Sequence, residues 1–219
     1  MTTREAFDQD LRRLSDDLLR LGTLVEDAVR RAIEALRARS VFLADQVIAG
    51  DQAIDDLRHD LEERCVLLMA TQQPMAKDLR TIASVWAMTS DVERIGDHAE
   101  DIARIVRRTA SEPLIKPLVD IPRMAEIVRE MLREGLDAFV RLDAPLAERM
   151  AAMDDEVDHL YNQVFRELLT YMIQDPQLIQ RATYLLMVAQ ALERMGDHTT
   201  NIAERVIYRV TGSFKTLND

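Results

Sequence analysis

The chain has little of what builds disulfide-linked or β-rich proteins. Its 219 residues include one cysteine, six glycines, six prolines and 5% aromatic residues. The single cysteine, Cys65, excludes an intramolecular disulfide framework and a cysteine-rich zinc site, and its apolar surroundings at 65–69 predict a core position. So few turn residues and aromatics disfavour a β-sandwich or β-barrel and favour a helical protein.

Positive charge is also scarce. The chain has 28 lysines and arginines against 39 aspartates and glutamates, for a formal net charge of −11. Direct binding to nucleic acid is not expected, because it needs a basic surface that replaces phosphate counterions. We find no signal-peptide pattern, and no window approaches the ~20 apolar residues of a membrane span. We therefore expect a cytoplasmic protein without membrane insertion.

The two halves of the chain share a motif. The sequence ERIGDH at 93–98 returns as ERMGDH at 193–198, and Ile-Ala follows each copy at the same distance. Upstream, an Asp-x-x-x-Asp pattern occurs at Asp51 and Asp55 and again at Asp154 and Asp158. This duplication predicts two similar structural units.

Apolar residues recur every three or four positions along most of the chain, which predicts an all-α fold. Prolines and short breaks divide the pattern into six long helices, expected at about 4–38, 40–72, 76–109, 121–142, 145–173 and 177–210. Two prolines in 111–117 mark a linker between a first domain, 1–110, and a second, 118–219. The short connections make neighbouring helices antiparallel, so we expect two tandem three-helix bundles.

One side of each motif helix is acidic. At ~100° per residue, Glu93, Asp97 and Asp101 fall within about 80° of one another. The same projection groups the corresponding residues Glu193, Asp197 and Asn201. Such a stripe is often only a solvated face, but the register of the helices favours a shared site.

An antiparallel turn at Pro74 sets the two acidic patterns of the first half at one height, and a turn at 175–176 does the same in the second half. The first set is Asp51, Asp55, Glu93 and Asp97, and the second is Asp154, Asp158, Glu193 and Asp197. Four carboxylates in such a group repel one another, and a multivalent cation relieves that repulsion.

The predicted cofactors are divalent or transition metal ions. Clusters of carboxylates suit hard cations such as magnesium, manganese or iron, and His98 and His198 beside the motif aspartates leave zinc open. A helical glycine costs about 1 kcal/mol relative to alanine, so Gly96 and Gly196 indicate close approach by backbone, an ion or a neighbouring helix. The candidate metal ligands are Asp51, Asp55, Glu93, Asp97, Asp101, Asp154, Asp158, Glu193, Asp197 and Asn201.

The doubled ERIGDH and ERMGDH motifs on the third helix of each bundle resemble the PhoU family of phosphate-uptake regulators. The resemblance covers nearly the whole chain, and it implies metal clusters at the paired acidic motifs and no enzymatic activity. It further implies a cytoplasmic negative regulator that acts with the phosphate ABC transporter ATPase and a sensor histidine kinase to keep phosphate-starvation genes off. A homodimer is also expected. Asp101 departs from the family, which usually has Asn there, as at Asn201.

Two other functions remain open from the sequence. Glu156 and His159 match the Glu-x-x-His spacing of carboxylate-bridged di-iron proteins, although the match occurs once and three helices per half fit such a site poorly. A metal-independent helical adaptor could instead use the acidic stripes to bind a basic partner. Metal content and oxygen consumption of the iron-loaded protein distinguish these alternatives.

Overall fold

The computed structural model describes residues 3–217. Within that range the chain forms α-helices and one short 3-10 helix, Pro176–Leu178, without a β-strand. The α-helices are α1 Thr3–Ala38, α2 Val41–Gln72, α3 Ala76–Thr109, α4 Asp120–Arg141, α5 Ala144–Ala151, α6 Asp154–Gln174 and α7 Ile179–Thr211. The all-α class and the repeated three-helix plan are confirmed. In this part of the chain, no helix has an apolar stretch long enough to cross a bilayer.

The fifth predicted helix differs in detail, because it is interrupted into α5 and α6. Residues 152–153 form a turn in which the Met153 N–H donates to the Met150 carbonyl at 2.9 Å. Neither glycine nor proline marks this interruption. Three acidic residues in the first turn of α6 suit a helix start, since a helix N-terminus carries partial positive charge. Asp154 therefore lies at the beginning of a helix.

The corners between helices fall where the sequence predicts them. Ser40 caps α2 by accepting from the Leu43 N–H at 3.3 Å, and Asp143 caps α5 by accepting from the Leu146 N–H at 2.9 Å. Asp175 accepts from the Gln177 N–H at 3.0 Å before the 3-10 helix. Each cap satisfies a backbone donor that the helix itself leaves unpaired, which fixes where the chain turns.

The two repeats pack through α3 and α7, which run antiparallel at the centre of the molecule. The Ser84 hydroxyl donates to the Arg205 carbonyl at 3.3 Å, and Arg209 Nε donates to Thr81 Oγ1 at 3.2 Å. A single apolar core runs through both halves. Helix α2 packs against α3, α6 packs against α7, and α1 meets α4. Each acidic cluster thus forms between a central helix and its outer neighbour.

Candidate functional site

The first acidic cluster lies between α2 and α3. Asp51, Asp55 and Asp97 each offer one carboxylate oxygen, and these three oxygens all lie within 4.8 Å of one another. Glu93 completes the predicted set, with its Oε1 3.5 Å from Arg58 Nε. The antiparallel register inferred from Pro74 therefore brings the α2 and α3 carboxylates together.

Charge repulsion and partial burial act together on this first cluster. Burial, followed by the charges of Glu100 and Asp55, raises the pKa of Asp51 to about 6. Burial and then Asp55 raise the pKa of Asp97, against the opposing effect of Arg94. Glu93 is raised in pKa by burial and by Asp97. All three shifts have the same sign because a group of half-buried carboxylates lacks enough positive charge.

The second cluster lies between α6 and α7 and has a different arrangement. Asp154 turns inward, where Thr200 Oγ1 donates to its Oδ2 at 3.4 Å. Its Oδ1 is buried and has no hydrogen-bond partner among the described residues. Asp158 and Asp197 are exposed, whereas Glu193 is half-buried. This cluster therefore combines one inward carboxylate with a more open outer edge.

Repulsion is also evident in the second cluster. Burial, followed by the charges of Asp158 and Asp197, raises the pKa of Asp154 to about 7. The pKa values of Asp158 and Glu193 are raised by burial first and by Asp197 next. An unpartnered buried oxygen and mutually repelling carboxylates are what a bound cation would relieve.

The two motif glycines have different neighbours. A methyl group at Gly196 would overlap Asp154 Oδ1, so the glycine allows this carboxylate to lie against α7. A methyl group at Gly96 would lie 3.3 Å from Ile54 Cδ1 and 3.4 Å from Val25 Cγ2, both apolar side chains. Gly196 therefore makes room for a site residue, and Gly96 serves packing between helices.

Two of the predicted ligands, Asp101 and Asn201, contact residues outside the two clusters, although the charge of Asp101 also raises the pKa of Asp97. Asn201 donates to Asp91 Oδ1 at 3.1 Å, across the α3–α7 contact. Asp101 is 63% exposed, with its Oδ2 3.7 Å from His98 Nδ1. Both residues lie about 80° around the helix from the motif glutamate, and that rotation turns them towards the junction of the repeats.

This junction holds the two motif histidines. The His98 and His198 rings lie 5.9 Å apart, and His198 Nδ1 donates to Asp91 Oδ1 at 3.0 Å. Burial and then the neighbouring His198 lower the pKa of His98. Asp91 thus links α3 to α7 through both His198 and Asn201. The sequence reasoning missed Asp91 because its partners lie in the other repeat.

Glu100 is a second residue that the sequence reasoning missed. It lies seven positions after Glu93, so the two project within about 20° of each other on α3. Its charge is the largest electrostatic contribution to the raised pKa of Asp51. The seven-residue spacing from Glu93 is the signal that identifies it, whereas the repeated i, i+4 pattern points to Asp101 at the next position.

The Glu-x-x-His pattern that suggested a di-iron protein lies on the exposed side of α6. Glu156 and His159 are both exposed, and Glu156 pairs with Arg123 of α4. These residues do not share the inward position of Asp154. The observed second cluster is built from aspartates 154, 158 and 197 and from Glu193, so the Glu-x-x-His spacing does not describe it.

The fold and the two carboxylate clusters define a class of protein: a tandem three-helix repeat with an acidic cluster in each copy. The family model described as "PhoU domain" matches this chain twice, at residues 18–106 and 121–206. One match falls in each structural repeat. A PhoU homolog of Clostridium acetobutylicum is 38% identical over 218 residues, covering 99% of this chain and 100% of the relative. A PhoU homolog of Aquifex aeolicus is 43% identical over 204 residues, covering 93% and 92%.

Solved structures agree with these sequence matches. The crystal structure of PhoU from Pseudomonas aeruginosa has a TM-score of 0.90 at 39% identity, covering 94% of this chain and 100% of that one. The phosphate transport system regulatory protein PhoU from Streptococcus pneumoniae has a TM-score of 0.89 at 31% identity, covering 95% and 99%. The chain belongs to the PhoU family. The relatives are named as accessory and regulatory proteins, which confirms the prediction that this chain is not an enzyme.

Proposed function

We propose that this protein is a cytoplasmic negative regulator of phosphate uptake and of the phosphate-starvation response, and that its two acidic clusters bind metal ions. It acts with the phosphate ABC transporter and a sensor histidine kinase. The observation that carries the proposal is the pairing of family membership with a carboxylate cluster in each repeat. The transporter link rests on the relatives, which are named as accessory proteins of phosphate-specific transport systems.

The donor chemistry of both clusters suits divalent or transition metal ions. Three carboxylate oxygens within 4.8 Å of one another in the first cluster match the oxygen ligands that magnesium, manganese and iron prefer. In the second cluster, the buried and unpartnered Asp154 Oδ1 lacks the positive partner that a buried carboxylate needs. Metal bound there would supply positive charge that holds the outer helices against the central pair.

Asp51, Asp55, Glu93 and Asp97 would hold metal in the first repeat, and Asp154, Asp158, Glu193 and Asp197 would do so in the second. These residues join α2 to α3 and α6 to α7, so occupancy would set how firmly each outer helix packs. An accessory protein can present a different surface to its partners when such packing changes. A homodimer, held at the membrane only through the transporter, completes the proposal.

The regulatory role is tested in phosphate-replete cells that lack this gene and carry a reporter of a phosphate-starvation promoter. Expression of the reporter should become constitutive, and a wild-type copy should restore repression. A copy with Asp97→Asn and Asp197→Asn should accumulate normally but fail to restore repression. Asp137→Asn, which removes an exposed carboxylate paired with Arg141 on α4, is the matched control and should restore it.

Each outcome bears on a separate part of this proposal. Normal repression in cells without the gene would contradict the regulatory role. Full repression by the Asp97→Asn, Asp197→Asn copy would leave the regulatory role intact and would contradict a role for the metal clusters in it. Light scattering of the purified protein measures its mass in solution, and a monomer at cellular concentration would contradict the homodimer.

A further inference from the structure

The two motif histidines have different neighbours on the opposite central helix. The motif at 193–198 repeats the motif at 93–98, so equivalent residues of α3 and α7 differ by 100 in number. His198 of α7 donates to the Asp91 carboxylate of α3 at 3.0 Å. The residue of α7 equivalent to Asp91 is Ala191, which lines a cavity together with His98. Ala191 cannot supply His98 with the carboxylate that His198 receives from Asp91.

The cavity beside Ala191 is open to solvent and has a volume of about 190 Å³. This space is far larger than the roughly 10–15 Å³ that one water molecule needs, so a small polyatomic ion can enter it. Five ionisable residues line the cavity, and they come from both central helices: His98, Asp101, Arg104 and Arg108 of α3 and Arg194 of α7.

The lining of this cavity is positively charged, although the chain as a whole has a formal net charge of −11. With the histidine neutral, three arginines and one aspartate leave an excess of two positive charges. Within residues 3–217, Arg104 forms a salt bridge with Glu100 at 2.6 Å, whereas Arg108 and Arg194 form none. The pair of Arg104 is 52% exposed on the arginine side and therefore weak. The guanidinium groups are thus available to a ligand.

We infer that this cavity binds a small oxyanion with two negative charges, such as inorganic phosphate or sulfate. Guanidinium groups present paired N–H donors that match the oxygens of such an ion, and a neutral histidine has one ring N–H to donate. The oxyanion would have beside His98 the role that the Asp91 carboxylate has beside His198. This inference does not depend on metal binding by the acidic clusters.

A bound oxyanion would join the two repeats. Arg108 belongs to the first repeat and Arg194 to the second, and both line the same cavity. An ion held by both residues would stabilise the α3–α7 contact, as the hydrogen bond between His198 and Asp91 does. Oxyanion concentration would then affect how firmly the repeats pack, through the linkage between binding and stability.

Asp101 is the ionisable residue of this lining that opposes an anion. Its side chain is 63% exposed, with Oδ2 3.7 Å from His98 Nδ1, so solvent screens much of its charge. The equivalent residue in the second repeat is Asn201, which donates to Asp91 at 3.1 Å. Asp101→Asn would therefore exchange a repelling carboxylate for an amide that can donate to the oxyanion.

The first test measures phosphate binding to the full-length protein by isothermal titration calorimetry, at constant ionic strength and without added metal. Arg108→Gln and Arg194→Gln should each weaken phosphate binding about ten-fold or more, because each removes a charge-assisted contact. Arg107→Gln is the matched control. It removes the same charge from the next residue of α3, which pairs with Asp45 at 3.2 Å outside the cavity lining, and it should leave the affinity nearly unchanged.

Two further variants exploit the difference between the repeats. Ala191→Asp supplies the missing carboxylate beside His98 and should abolish phosphate binding, whereas Asp101→Asn should tighten it several-fold. Sulfate should compete with phosphate, and acetate should compete far less because it carries a single charge. Melting curves show that each variant folds.

Several results would overturn the inference. One is the absence of saturable phosphate binding by the wild-type protein. Another is an equal loss of affinity in Arg107→Gln and Arg108→Gln, which would indicate attraction by general surface charge. Phosphate binding that Ala191→Asp leaves unchanged would place the ion outside this cavity. Acetate that competes as well as sulfate would contradict a site for a doubly charged oxyanion.

Discussion

The two clusters carry the same motif on equivalent helices, yet their carboxylates have different surroundings. Asp51 lies ten residues after the start of α2, and one of its oxygens forms a compact group with one oxygen each from Asp55 and Asp97. Asp154 lies in the first turn of α6 and turns inward against Gly196 and Thr200. The outer residues Asp158 and Asp197 are correspondingly more exposed. The two copies of the motif therefore give each helix pair the same register, but the burial of the carboxylates differs between the two clusters.

Residues outside the motif account for much of this difference. In the first repeat, Arg58 approaches Glu93 at one end of the cluster and Glu100 lies towards the other. In the second repeat, the corresponding positions hold Tyr161 and Thr200, so neither the arginine nor the glutamate of the first repeat has a counterpart there. The first cluster thus has opposite charges at its two ends, whereas the second depends on its four motif carboxylates. We expect the two sites to differ in affinity and in their response to pH.

The largest expected effect comes from removing one cluster at a time. Asp51→Asn with Asp97→Asn should abolish metal binding in the first repeat and leave the second occupied, and Asp154→Asn with Asp197→Asn should do the reverse. Each pair removes two of the carboxylates that would hold the ion. Elemental analysis after Mn²⁺ loading measures the loss. Chelation should also lower the melting temperature of the wild type, since ligand at about 100 times its Kd stabilises a fold by about 2.7 kcal/mol.

A loss of all bound metal in either pair of variants would contradict two separate sites. It would show instead that the clusters depend on each other through the α3–α7 contact. The control for these double variants is the single change Asp137→Asn, since Asp137 forms an exposed pair with Arg141 at 2.8 Å. A second change at the nearby Asp143 is avoided because Asp143 caps α5.

Much of this organisation could be predicted from the sequence because it follows from helix periodicity and from turns. Pro74 and residues 175–176 set the antiparallel register, and the structure places the expected carboxylates together. The rotation of each helix about its own axis could not be predicted from the turns alone. Asp101 and Asn201 consequently lie nearer the junction of the repeats than expected. The interruption at 152–153 has no glycine or proline to mark it, and its local signal is the run of acidic residues at 154–156 that suits a helix start.

The pairing of Asp91 with His198 and Asn201 was also beyond prediction from one repeat. It depends on how α3 crosses α7, which no local pattern encodes. Glu100 was predictable in principle, since its seven-residue spacing from Glu93 is present in the sequence. The repeated i, i+4 pattern instead predicts Asp101 at the neighbouring position. The difference between the repeats at this position, Glu100 in the first and Thr200 in the second, is likewise present in the sequence.

The glycines provide a second way to distinguish the clusters. Gly196→Ala should displace Asp154 from its inward position and weaken Mn²⁺ binding at the second cluster about ten-fold, as other changes beside metal ligands do. Gly96→Ala should leave the first cluster nearly unchanged, because Ile54 and Val25 need to move only slightly. Calorimetry with the other cluster disabled measures each affinity. Equal losses at both clusters would show that Gly96 also makes room for a ligand.

The junction of the repeats permits a third comparison, this time of stability. Asp91→Ala removes the acceptor of both His198 and Asn201, and leaving such partly buried donors unpaired should cost about 1–2 kcal/mol. Asp101→Ala should cost less than about 0.5 kcal/mol, because an exposed pair contributes little. Urea unfolding of metal-free protein measures both changes. Similar costs for the two variants would mean that Asp91 does not link the repeats more strongly than Asp101 does.

The smallest expected effect is a pH dependence that differs between Asp154 and Asp51. The folded-state pKa of Asp154 is about 7, above its ordinary 3.8, so its favourable contribution to stability is fully present below pH 3.8 and is lost as pH rises through 7. Asp154→Asn should therefore stabilise metal-free protein at pH 8 by about 1 kcal/mol more than at pH 5, after allowance for solvent screening. Asp51→Asn should show a smaller difference, because the pKa of Asp51 is raised only to about 6. Urea unfolding at both pH values provides the measurement. If Asp154→Asn changed the free energy of unfolding by the same amount at pH 5 and pH 8, ionisation of Asp154 would not destabilise the folded protein. The two clusters would then differ in metal binding alone.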